Sequence, residues 1–148
     1  SAPAVGERLR KLEERHIIQR FTAVLDPRRL GWDILAFISV GINGSRHFQD
    51  FRQRVRDFPE VLECHSVTGQ GSHLLKIRAA NTQALEQILA EIQSWPGIQW
   101  TTTSIVLSSL KETSSLPLPL DTEGPGGHDD VDARHTADLL HVPFRHHP

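Results

Sequence analysis

The middle of this sequence predicts an α+β fold, two strand-helix-strand units in tandem, on three observations. The first is an internal repeat. Shifted by 37 residues, Phe48 falls on Leu85, Phe51 on Ile88 and Val55 on Ile92. The second is the spacing of apolar residues within each unit. Ile38 and Val40, which fall on Leu75 and Ile77, alternate as in a strand, whereas Phe48, Phe51 and Val55 keep a helical period. The third is the punctuation that ends each helix, Phe58-Pro59 in one unit and Trp95-Pro96 in the other. Proline cannot continue a helix and biases the residue before it toward extended geometry. Val61 and Ile98 then open the next strands. The order β-α-β-β-α-β is the ferredoxin-like one, with both helices on one face of a four-stranded antiparallel sheet.

Taken in order, residues 1–16 predict a helix. Ser1 is a good N-cap, Pro3 is tolerated in the first turn, and Val5, Leu9 and Leu12 form an apolar stripe with Arg8, Lys11 and Arg15 off it. Ile17 to Leu25 reads as a strand, closed by Asp26-Pro27 and a turn through Leu30-Gly31. After the first repeat helix, Leu62 and Cys64 alternate with Glu63 and His65 along a strand. Gly69 and Gly71 supply a turn whose backbone angles a side chain would oppose. Leu75 and Ile77 lie on one face of the following strand, with Lys76 and Arg78 on the other. The product is a hairpin with a polar tip that exposes its backbone.

Length and composition bound the rest. A chain of 148 residues holds one domain with appendages. Its charges nearly cancel but are unevenly spread: residues 1–30 carry seven Lys/Arg against four Asp/Glu, and residues 121–148 two against six. The N-terminal segment is therefore the part that suits an anionic partner. No long apolar run predicts a signal peptide or a membrane span, and the single Cys64 suits a reducing cytoplasm. The boundaries expected are 1–30 for the basic helix and linker strand, 31–112 for the repeat domain, and 113–148 for a disordered tail with a short helix allowed at 133–141.

Two helices cover only one face of such a sheet. Phe37 on the first strand, and Trp100 and Val106 on the last, fall on the other face, so self-association is the simplest way to bury them. Cys64 and His65 suggest a nucleophile and base, but neighbours on a strand point to opposite faces. Five of the nine histidines lie in the tail, at His128, His135, His141, His146 and His147, with a spacing that fits no closed metal site. Thr101, Thr102 and Thr103 suit either a ligand pocket or simply a strand.

The residues from Ser1 to Glu14, with Ile17-Ile18-Gln19-Arg20-Phe21-Thr22-Ala23-Val24-Leu25-Asp26 after them, resemble the DNA-recognition helix and linker strand of the Lrp/AsnC transcriptional regulators. Pro59-Glu60-Val61-Leu62-Glu63-Cys64-His65-Ser66-Val67-Thr68-Gly69 resembles the hairpin of that family's amino-acid-binding (RAM) domain. The likeness runs to about Leu120. It implies a RAM domain of the dimeric α-β barrel kind, preceded by a remnant recognition helix and linker strand. It also implies a homodimer or higher homo-oligomer built through the sheets, no enzymatic activity and no cofactor.

By the same resemblance the effector site falls on Gly69, Gln70, Gly71, Ser72, His73, Thr101 and Thr103, and DNA contacts fall on Ser1, Pro3, Arg8, Arg10 and Lys11. Three departures shape the expectation. The family's recognition helix follows two others, and nothing precedes Ser1 here, so contact with duplex DNA is expected to be weak or to come through full-length relatives. His16 stands where members usually have glycine. Ser72 and His73 stand where the tip usually ends in an aspartate and an aromatic, so an amino acid's ammonium meets a neutral acceptor. Two alternatives are a stand-alone small-molecule-binding RAM protein with no DNA target and an enzyme resembling the sirohaem decarboxylases. The latter would draw on His65, His73 and Arg78.

Overall fold

The computed structural model describes residues 1–118. A helix, α1 (Ala2–Glu14), comes first; then β1 (Ile34–Ile42), α2 (Phe48–Asp57), β2 (Val61–Ser66), β3 (His73–Ala79), α3 (Thr82–Gln93) and β4 (Ile98–Ile105) follow. The sheet order is β2-β3-β1-β4, antiparallel throughout, which is the ferredoxin-like arrangement the repeat predicts. Residues 109–118 belong to a separate unit and carry no regular secondary structure. The expected disorder of the rest of the tail, its helix at 133–141 and its histidines lie outside the described residues.

Burial of both helices on one side builds the core. Ile38 and Val40 of β1, Leu75 and Ile77 of β3, Phe51 of α2 and Ile92 of α3 are fully buried. Phe58 takes the extended backbone expected before a proline and closes α2. Its repeat mate Trp95 is buried, and the two rings meet edge to face at 5.7 Å. The punctuation marks of the two units are thus packed on each other, at the edge-on geometry aromatic rings prefer. Asn81 caps α3, its side-chain oxygen accepting from the Ala84 amide at 2.8 Å.

At the N-terminus Ser1 caps α1 as expected, accepting from Ala4. The helix ends in a Schellman turn: the Ile17 amide donates to Leu12 O and the His16 amide to Glu13 O, both at 2.9 Å. His16 sits at φ 60, the left-handed position that favours glycine. His16→Gly is therefore expected to stabilise this helix end by about 1 kcal/mol. Hydrogen exchange at the Ile17 amide should slow about fivefold as a result.

Two expectations are corrected here. Residues 17–25 form no strand, and Ile17, Phe21, Val24 and Leu25 stand exposed. A strand needs a hydrogen-bonding partner, and the chain's own sheet offers none to this segment. In β2 the simple alternation fails. Val61 pairs with Ile77 and Glu63 with Lys76, so Leu62 is an extra residue in a bulge. Val61 and Cys64 face the core, and Leu62 is turned out, 55% exposed.

Candidate functional site

The strand pairings assign each side chain to a face of the sheet. Directly opposed residues share a face, so Val40, Thr101 and His73 lie on the helix side, as do Ile38, Thr103 and Leu75. Ser39, Leu74 and Thr102 lie on the other side, which neither α2 nor α3 covers, and so do Gly41 and Trp100.

The hairpin tip, residues 67–72, folds against the C-terminal end of β1. The Ser72 amide donates to Val40 O at 2.9 Å, and the Ser72 hydroxyl donates to the same oxygen at 3.2 Å. The loop is closed by the Val67 amide, which donates to Ser72 O at 3.0 Å. Gly71 lies so close to β1 that a Cβ there would overlap Ser39 Oγ. It would also come within 3.2 Å of Val40 O and 3.5 Å of Trp100 Cη2. Trp100 in turn lies over Gly41, where a Cβ would run into its indole. Gly69 adopts φ 107, the conformation that glycine tolerates. Gly71 is needed for space rather than for its angles, which refines the sequence reading.

Four of the expected effector residues, Gly69, Gln70, Gly71 and Ser72, are thus contiguous in this loop, and three others are not part of the same surface. Thr101 and Thr103 are on the helix side, and the Thr101 hydroxyl accepts from Gln93 Nε2 at 2.9 Å. Thr102 is the threonine on the open face. His73 is only 3% exposed and points into the core. Its ring packs on Phe51 at 4.8 Å and edge-on to Phe48 at 5.2 Å, and its Nδ1 is 2.9 Å from Ser72 Oγ. The alternation of β3 carries the reason: His73, Leu75 and Ile77 share one face. Ser39 and Gly41 were missed by the sequence reading. The signal that could have found them is their place between Phe37 and the end of β1, on the face left bare.

Charge on the open face gathers at the β2 edge. Lys76 Nζ is 3.0 Å from Glu63, and His65 Nε2 is 3.2 Å from the same carboxylate. Bonding to Lys76 first, and to His65 second, holds the Glu63 carboxyl below its ordinary range. Burial pushes the Cys64 thiol up, the opposite of what a reactive thiolate needs. His65 and Arg78 lie on the open face and His73 on the helix side, so the three residues an enzymatic reading requires do not converge.

On α1, Arg8 and Lys11 stand exposed. Arg10 does not stand free: its guanidinium bonds Glu7, with Nε 3.0 Å from Oε2, and also reaches Glu14. Ser1 and Pro3 form the cap and first turn.

The Lrp/AsnC ligand binding domain family matches residues 35–116, the span from β1 through β4 and beyond. The HTH-type transcriptional regulator FL11 of Pyrococcus horikoshii is 39% identical over 114 residues, 77% of this chain and 75% of that protein. The chain belongs to the Lrp/AsnC family. Among solved Lrp/AsnC-like structures, a transcriptional regulator of Neisseria meningitidis in complex with L-methionine superposes with a TM-score of 0.75 at 34% identity. That match covers 80% of this chain and 78% of the other. The feast or famine regulatory protein of M. tuberculosis, complexed with L-methionine, gives 0.70 at 29% identity, covering 78% of each. The Ser72 hydroxyl is turned inward, between Val40 O and the His73 ring.

Proposed function

We propose that this chain is the effector-sensing and assembly part of an Lrp/AsnC-type transcriptional regulator. The observation that carries this is the 67–72 loop seated on β1 beside Trp100, on a sheet face that neither repeat helix covers. The ligand class it suits is a small apolar α-amino acid or a close relative. Its side chain would lie along Trp100 and Leu74, and its polar end would meet the Ser39 and Thr102 hydroxyls and the backbone of residues 69–71. The two methionine complexes among similar structures support that class. Binding is weak, because the tip offers neutral groups where a carboxylate would form a charge-assisted bond.

The same open face, with Phe37 and Trp100 on it, is covered by a second copy, giving a homodimer or larger homo-oligomer in the cytoplasm. Contact with duplex DNA falls to Arg8 and Lys11 of α1, because Arg10 is held by Glu7 and Glu14. The exposed cations Arg8 and Lys11 give a weak, mainly electrostatic contact. Light scattering at micromolar concentration tests the assembly. A dimer or larger is expected, unchanged by deletion of residues 121–148, and a monomer of 16.6 kDa contradicts it.

A further inference from the structure

Among the described residues, His73 is the one buried polar side chain, and nothing so far uses its imidazole. It is the first residue of β3, so it adjoins the effector loop and the core at once. Its Nδ1 is 2.9 Å from Ser72 Oγ. The Ser72 hydroxyl has a single hydrogen and donates it to Val40 O. Its oxygen therefore accepts from Nδ1–H, which assigns the tautomer of the neutral ring from the hydrogen-bond network. The result is a continuous chain from core to loop to strand: imidazole, serine hydroxyl, Val40 carbonyl.

The surroundings decide how this chain responds to a proton. From α2 the ring meets Phe48 and Phe51 and feels the charge of Arg52; from β1 it is paired with Val40, and from β2 with Ser66, two pairs beyond the half-buried Cys64. The charge that acts on it is that of Arg52, a cation. Burial first, and Arg52 second, hold the imidazole below its ordinary value near 6.5. The neutral ring is thus the one the fold accepts. In the unfolded chain or the released loop the ring titrates near its ordinary value. Stability owed to the neutral ring is fully present above that value and is lost as pH falls below it toward the folded value.

We propose that His73 is a positioning residue that holds the 67–72 loop on β1 through Ser72 and lets it go on protonation, making the effector site sensitive to mild acid. A charged ring packed on two phenylalanines and repelled by an arginine's charge is relieved by swinging out to water. Ser72 then loses the partner that fixes its hydroxyl, and the amide and hydroxyl bonds to Val40 O open together. Gly71 leaves Ser39 and Trp100 with them. The consequence for effector binding rests on the function proposed for this loop; the movement of the loop does not.

Hydrogen exchange of the peptide spanning 66–74, in the full chain without ligand and corrected for intrinsic rates, reads the movement directly. Protection is expected to fall about tenfold or more between about pH 7.5 and about pH 5.5, while the β1 peptide holds. His73→Phe keeps a ring against Phe48 and Phe51 but takes no proton, so its loop protection should not change with pH. Ser72→Ala leaves the imidazole in the core and cuts the link, so protection should be low at both pH values. Wild-type protection that is flat with pH overturns the proposal. So does a fall that survives in His73→Phe, which would trace it to another group such as His65, or a Ser72→Ala chain that responds like the wild type. Because no ligand is present, failure to bind any amino acid leaves this result standing. An effector that binds to a chain with pH-independent loop exchange removes only the proton switch.

Discussion

Phe51→Ala is expected to lower the unfolding free energy by about 3–5 kcal/mol, the range for removing a large aromatic from a packed core. Phe51 is fully buried, and its ring touches Trp95 at 5.9 Å and His73 at 4.8 Å. It therefore joins the C-terminal end of α3 to the first residue of β3. The cavity would lie directly beneath the loop's attachment, so the loss should have a local as well as a global reading. Urea denaturation gives the first, as a lower midpoint, and faster exchange in the 66–74 peptide gives the second. With a total stability of about 5–15 kcal/mol for a domain of this size, the variant should be marginal at 37 °C. A loss below about 1 kcal/mol would mean that the core does not close around this ring.

Gly71→Val is expected to reduce effector affinity at least about tenfold with little change in global stability. The argument is one of space. Its first added carbon overlaps Ser39 Oγ, which must turn away, and crowds Val40 O at 3.2 Å, a backbone atom that the Ser72 bonds and the β1 ladder hold in place. The branched side chain against that carbonyl lifts the loop, whose residues 67–70 are exposed and outside the buried cluster, so the core survives. Thermal melting separates the two effects: the midpoint should stay within a few degrees of the wild type. Ser72→Asp, which the sequence suggests as a way to strengthen an ammonium contact, carries a different expectation once Ser72 is seen to face inward. A carboxylate there would meet the Val40 carbonyl and His73 rather than a ligand.

The fold was legible because the repeat placed the same apolar spacing and the same aromatic-proline stop in the chain twice. Each copy reports on local geometry, and the contact of Phe58 with Trp95 shows both stops in one core. The tip residues Gly69 to Ser72 were legible for a similar reason, since turn chemistry is local. What the sequence could not give was register. Which of three successive threonines shares a face with Ser39 depends on a pairing across the sheet, and Thr102 rather than Thr101 or Thr103 is the one. The bulge at Leu62 is likewise a property of two strands rather than one. His73 reads as a polar tip residue beside glycines, yet the parity of β3 turns it inward, where Phe48 and Phe51 make room for a ring. The segment 17–25 has strand-like composition with no strand to pair with.

Calorimetric titration of the wild-type chain at about pH 7.5 with each of the twenty amino acids, with Gly71→Val in parallel, tests the central claim most directly. At least one apolar amino acid, with L-methionine the first to try, should bind with a Kd of about 1 mM or tighter, and the heat should vanish in Gly71→Val. No heat from any amino acid at several times that concentration, or equal heat from the two chains, would contradict the account.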